Sequence, residues 1–263
     1  MWDRIRQWLG GASAGAPAVQ AQKALSSSEQ QALAAQLAQW PAMMQAGAQG
    51  LRQQAVVVFD LETTGLDLKR DTILSIGGVR LEPDAGGQGL GIALGQTWER
   101  VLAVQVQLKP DSQLFHGMTQ ADLARGQDPR QALLELLDWG RDAIWLAWHA
   151  WFDETMLHRA AQQWLGLTAQ GGRLPKVYDL AHAMPLLFPE HAALGADLDA
   201  WLRALRLGNS ERHHAVADAM ATAELALVAL ARAQALGMAT WGELIAAMAR
   251  AEQQRRAQQH AGL

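Results

Sequence analysis

The sequence predicts an α/β fold built on a mixed sheet, and three observations support that prediction. Three strand-like runs follow one another with short links, the pattern of an antiparallel meander. Helical and strand-like runs then alternate, which calls for parallel strands joined by crossover helices. Half of the 263 residues are hydrophobic and 18% are charged, so one sizeable core is available and a disordered chain is excluded.

The chain opens on MWDRIRQWL, with Trp2, Ile5, Trp8 and Leu9 on one side, ahead of a Gly, Ala, Ser and Pro rich linker over 10–22. That start is either a partner-binding or membrane-surface helix or a segment that tucks onto the protein's own surface. Ser26 and Glu29 form a capping box, and Leu33, Leu37 and Trp40 recur at helical spacing, which predicts a helix over 28–40 that stops at Pro41. A connection over 42–52 leads into the main domain. The expected organisation is a helical extension and linker over 1–53, a main domain over 54–236, and a final helix and tail over 237–263.

The first strand, AVVVFDL, begins at Ala55 and is apolar enough to be a buried strand. TILSIGGVRL (72–81), a Gly-rich turn through GGQGLG, and TWERVLAV (97–104) supply the second and third strands. A helix over 128–140, a short buried strand over 143–148 and a helix over 152–167 come next. PKVYDLAHAMPLLF runs from a short fifth strand into a helix, and ADLDAWLRALRL (196–207) is amphipathic. The longest helical pattern spans 213–236; a last helix over about 240–252 ends in EQQRRAQQHAGL, which reads as a solvated tail.

Composition narrows the chemistry. Cysteine is absent, so a metal would be held by Asp, Glu or His, which favours hard cations. A net charge of -4 argues against a protein that coats nucleic acid non-specifically, yet leaves room for an enzyme gripping one strand end. The first residues lack the apolar run of a signal peptide and no window approaches ~18 uncharged apolar residues, so a cytoplasmic protein with no membrane partner is expected.

Three places join an acid to an element end in a way that packing does not require. Asp60 and Glu62 stand two apart at the end of the first strand and therefore share a face. Asp153 starts a helix, where the helix dipole is one explanation, and Asp218 lies on the long helix, where a solvated face is another. If the three places converge, four carboxylates meet and their repulsion demands divalent cations, the arrangement of two-metal phosphoryl chemistry. Mg2+ suits such a site. His213, ahead of Asp218, is then placed to take a proton from an attacking water.

VVFDLETTGLD resembles the first motif of the DEDD exonuclease superfamily, AWFD (150–153) the end of its second, and HHAVADA (213–219) the third motif of its DEDDh branch. The order of the motifs and the segment LFHGMTQADL (114–123) are similar to DnaQ-like proteins, the family of the proofreading epsilon subunit of bacterial DNA polymerase III. The resemblance implies a ribonuclease H-like three-layer fold, with a mixed five-stranded sheet whose first three strands are antiparallel and with helices on both faces. It implies Asp60, Glu62, Asp153 and Asp218 as ligands of two divalent cations, Mg2+ with Mn2+ able to substitute, and His213 as general base. Thr63, Thr64, Gly65 and Leu66 are expected against the 3'-terminal nucleotide, partly through backbone groups, and His116 matches a loop histidine facing the cleft. Asp179 resembles a family position with a structural role.

One departure stands out. Where relatives read His-Asn-Ala-x-Phe-Asp, this chain has Trp148 and His149 in the first two places, so the substrate contacts of that motif differ. An added aromatic offers a stacking face for a base, while packing alongside Trp139, Trp145 and Trp164 is the alternative. The expected activity is 3'–5' exonucleolytic release of nucleoside monophosphates from a single-stranded or frayed DNA end. An RNA-directed relative of the ribonuclease T or oligoribonuclease type, or a module docking on a polymerase or another protein through the N-terminal extension, are the alternatives. The extension ahead of Ala55 is unlike the epsilon subunit and points to a stand-alone relative.

Overall fold

The computed structural model describes residues 25–43, 49–108, 113, 116–167, 174–208 and 213–261. The expected amphipathic start and the linker over 10–22 lie outside these residues, as do Leu114 and Phe115 of LFHGMT.

Chain order runs α1 (Ser27–Met43), β1 (Val56–Thr63), β2 (Ile73–Pro83), β3 (Leu90–Ile92), β4 (Trp98–Val101), α2 (Gln120–Ala124), α3 (Pro129–Trp139), β5 (Ile144–Ala147), α4 (Ala150–Leu165), β6 (Val177–Asp179), α5 (Leu180–Leu187), α6 (Leu198–Ala204), α7 (Ala215–Ala235) and α8 (Trp241–Ala261). The sheet has six strands in the order β3-β2-β1-β5-β6, with β4 also paired to β2. β2 pairs antiparallel with β1, β3 and β4, whereas β1 with β5 and β5 with β6 pair in parallel. The expected count of five is corrected to six because the Gly-rich turn contains its own short strand. β3 pairs with the far end of β2 (Leu81 to Pro83) and β4 with its near end (Ser75 to Gly78), so the two share one edge position.

β1 is the central strand, and its composition explains why. Val57, Phe59 and Leu61 pack into one layer with Leu33 and Leu37 of α1, Leu133 and Leu137 of α3 and Leu157 of α4. Val56 and Val58 point the other way, into a layer made by α5, α6, α7 and α8. Each such side chain removed from water contributes about 1.5–3 kcal/mol, and with both faces covered β1 has no polar alternation to keep. Trp145 of β5 stands edge-on to Phe59 with ring centroids 5.4 Å apart, and its indole donates to the Gly140 carbonyl at 2.8 Å.

Local signals set the ends. The Asp128 carboxylate accepts the N–H groups of Arg130 and Gln131 and Pro129 opens α3, satisfying donors that a helix start leaves bare. The capping box at Ser26 is present, with the Ser26 N–H donating to Glu29 Oε2 at 2.7 Å. α1 runs past Pro41 to Met43, and α8 continues through the expected tail to Ala261. Ahead of β1, the Leu51 N–H donates to the Ala239 carbonyl at 3.1 Å and the Trp241 N–H to Gln49 at 3.2 Å, which fastens the start of α8 to the domain. Among the described residues no helix is long and apolar enough to cross a membrane.

Candidate active site

Asp60 and Glu62 share the face of β1 on which α7 packs, because alternate residues of a strand point the same way as Val56 and Val58. Asp60 pairs with Gly77 of β2, and Gly77 pairs with Glu99 of β4. A Cβ on Gly77 would stand 2.2 Å from the backbone nitrogen of Val216. Glycine therefore lets the first turn of α7 lie directly on the sheet, and Asp218, in that turn, comes down beside Asp60. One carboxylate oxygen from each of Asp60, Glu62 and Asp218 lies within 4.8 Å of the other two.

Asp153 arrives from the opposite layer, on the first turn of α4. It is 3% exposed, and burial first, then the charge of Asp179, then that of Glu62, hold its carboxyl well above the usual carboxylate range. It stands outside the three-oxygen group but close enough to Glu62 to feel its charge. Asp179 itself is engaged structurally: one oxygen accepts the N–H of Ala181 at 3.0 Å and of His149 at 3.1 Å, capping α5 and tethering the start of α4.

His213 lies in the turn just ahead of α7, with φ 64°. Its N–H donates to Asp218 Oδ2 at 3.1 Å, so the turn is fastened to the carboxylate it accompanies. His214 faces away, with Nε2 at 3.5 Å from Glu99 Oε1. His149, the residue ahead of α4, is also left-handed at φ 61°. Both positions call for a residue that tolerates this backbone, and histidine is enriched there with asparagine. Histidine at 149 is thus compatible with the left-handed backbone at the start of α4.

The remaining sequence-predicted residues divide. Thr63, Thr64, Gly65 and Leu66 follow Glu62 directly, after a register shift between Glu62 and Thr63 that turns the chain out of the sheet. The Thr63 hydroxyl donates to the Gly65 carbonyl at 2.7 Å and that of Thr64 to Asp71 Oδ1 at 2.8 Å, so both donors are spent within the loop. Trp148 is 7% exposed and its indole donates to the Ala196 carbonyl at 2.8 Å, so this ring is packed and offers no stacking face. The exposed ring of the motif is Trp151, at 58%.

His116 is 8% exposed; its Nδ1 accepts the Met118 N–H at 3.1 Å, which leaves the proton on Nε2. Burial lowers its pKa, and Nε2 has no hydrogen-bond partner among the described residues. With Glu99, Arg100, Arg125 and His214 it lines an open cleft of about 700 Å³ that begins where the His213 turn ends.

The chemistry of the donor set fits divalent cations. Three carboxylates meet at one strand end with Asp153 beside Glu62, all of them hard oxygen donors, and burial and the charges of Asp179 and Glu62 raise the pKa of Asp153. The Gly77–Gly78 pair inside a strand was the signal in the sequence for the close approach of α7, since glycine there marks a backbone contact.

Comparison with known proteins agrees with the geometry. Residues 57–226 match the RNase_T family model, described as an exonuclease. Segments of the PolC-type DNA polymerase III of Thermotoga maritima and of Listeria welshimeri are 29% identical over 188 residues and 28% over 178, covering 72% and 67% of this chain. The chain spans only 13% and 11% of the length of those relatives. E. coli Exonuclease I in complex with a dT13 oligonucleotide has a similar fold at TM-score 0.55 and 17% identity, over 70% of this chain and 42% of that one. A 3'-exonuclease recognising the histone mRNA stem-loop aligns at TM-score 0.54 and 15% identity, over 72% of this chain and 84% of that one.

Proposed function

This chain belongs to the RNase_T exonuclease family, and from that premise we propose that it is a 3'–5' exonuclease that hydrolyses the terminal phosphodiester of single-stranded or frayed DNA and releases nucleoside 5'-monophosphates. The observation that supports this reading most is the meeting of Asp60, Glu62 and Asp218 from β1 and α7, with Asp153 of α4 beside Glu62. The PolC-type relatives, which are DNA polymerases by name, favour DNA over RNA.

Asp60, Glu62, Asp153 and Asp218 would hold two divalent cations, Mg2+ or Mn2+, which when bound polarise the phosphodiester and make water a better nucleophile. His213 takes the proton of the attacking water. The water oxygen bonds to the terminal phosphorus, the bond from that phosphorus to the preceding nucleotide's O3' breaks, and that oxygen leaves with a proton. The loop over Thr63, Thr64, Gly65 and Leu66 lies beside the two strand carboxylates and supports the terminal nucleotide through its backbone. His116, a neutral donor through Nε2, faces the strand from the cleft. Leu33 and Leu37 of α1 are used in the chain's own core, so a protein-docking role falls to residues ahead of that helix.

The test is a 5'-labelled oligonucleotide incubated with the purified chain and Mg2+ or Mn2+. A ladder of shortened DNA that disappears with chelator and with Asp60→Ala is expected. Intact DNA under every metal, or RNA degraded in preference to matched DNA, would contradict the proposed substrate.

A further inference from the structure

The loop between β1 and β2 carries residues assigned above to the terminal nucleotide, and a side chain outside that set organises it. Asp71 turns both carboxylate oxygens inward: Oδ1 accepts the Thr64 hydroxyl at 2.8 Å and Oδ2 accepts the Asp67 N–H at 2.8 Å. Its own N–H donates to the Asp67 carbonyl at 2.9 Å. Thr64 closes the loop a second way, its N–H donating to Thr72 at 3.0 Å and its hydroxyl oxygen accepting the Thr72 N–H at 3.1 Å. From α4, Arg159 donates to the Leu68 carbonyl, and Leu68 and Phe152 pack against one core. The loop is thereby tied to the helix that supplies Asp153.

A Cβ on Gly65 would stand 2.5 Å from Asp71 Oδ2, so the carboxylate lies directly under that residue. With the Asp71 and Thr64 side-chain hydrogen bonds turned inward, the loop presents the Leu66 side chain to solvent, 83% exposed. An exposed leucine next to a carboxylate cluster suits a ligand with an apolar face beside a negatively charged, metal-binding group. A nucleotide's sugar and base with its phosphate have both.

We propose that Asp71 is a positioning residue for the 3'-terminal nucleotide, holding the 64–72 loop in its binding shape beside Asp60 and Glu62. The inference rests on the exonuclease reading above. Both Asp71 oxygens are engaged inside the loop, so Asp71 touches neither the reacting phosphate nor the water. Its contribution is to have ordered the loop before binding, which removes that ordering cost from the affinity.

The experiment compares two substrates in Mn2+ on the full chain: a single-stranded DNA oligonucleotide, and bis(p-nitrophenyl) phosphate, which has a phosphodiester but no sugar or base. Asp71→Asn keeps an acceptor for Thr64 but sets an amide against the Asp67 N–H, and is expected to raise KM for the oligonucleotide about tenfold, with kcat and the small-ester rate unchanged. Asp71→Ser removes the carboxylate without setting an amide in its place and keeps the test open should Asp71→Asn fold poorly; a KM increase of about threefold or more is expected. An unchanged KM in both variants, or equal loss on both substrates, would overturn the inference. Wild-type protein inactive on both would instead overturn the exonuclease reading, and this inference with it.

Discussion

The two helices that bring carboxylates to β1 do so in opposite ways. α7 crosses a glycine, lays its first turn on the sheet, and has the oxygen of Asp218 bonded to the His213 N–H at 3.1 Å. α4 instead drives Asp153 into a buried place where Asp179 and Glu62 add like charge and the carboxyl is forced upward in pKa. On the α7 side the carboxylate is held by the protein's own donor. On the α4 side burial and like charge outweigh the backbone hydrogen bond that Asp153 accepts, so its charged form is disfavoured until a cation joins it.

Breaking either side should abolish activity, and this is the largest effect expected. Metal-assisted charge stabilisation is worth several kcal/mol, so Asp218→Asn and Asp153→Asn should each lower kcat by about a thousandfold or more in the oligonucleotide assay. His213→Asn comes next. Asparagine keeps the left-handed turn, so the variant isolates the imidazole, and a loss of roughly 10² to 10⁴ in kcat is expected in the oligonucleotide assay. Gly77→Ala follows: its methyl meets the Val216 backbone, α7 must shift, and a loss of about 1–3 kcal/mol by denaturant unfolding is expected together with reduced activity.

The smallest effect sharpens the comparison, because it has the opposite sign on stability. The folded-state pKa of Asp153 is raised, so its contribution to stability is present below the ordinary aspartate pKa and is lost as pH rises towards the folded value. Metal-free protein should therefore lose Tm as pH rises above about 4. Asp153→Asn should flatten that decline and be more stable than wild type at neutral pH without metal. Differential scanning calorimetry in chelator reads both; a variant less stable than wild type at every pH would contradict the account.

The same contrast decides what was legible in the sequence. β1 and α7 were readable because their signals are local: a strand dense in β-branched residues that ends in Asp60 and Glu62, and His213 five positions before Asp218. The mixed sheet followed from the alternation of elements, and its coverage by helices from the family resemblance. Trp148 was harder, since its burial depends on a carbonyl at Ala196 that no local pattern announces. Asp71 carries no signal in the sequence because its partners, Thr64 and Asp67, become partners only when the loop closes. β3 was hidden in a Gly-rich turn because three residues give no usable period. The expected tail is helical because Gln, Arg, Glu and Ala are good helix formers even with no apolar stripe to mark them.

The central claim is that strand and helices build one cation site, and Mn2+ titration by calorimetry at neutral pH tests it most directly. Wild-type chain should bind two Mn2+ ions, with Asp153→Asn and Asp218→Asn each losing at least one of them. Undiminished Mn2+ binding by Asp153→Asn would contradict it, because α4 would then stand apart from the site that β1 and α7 form.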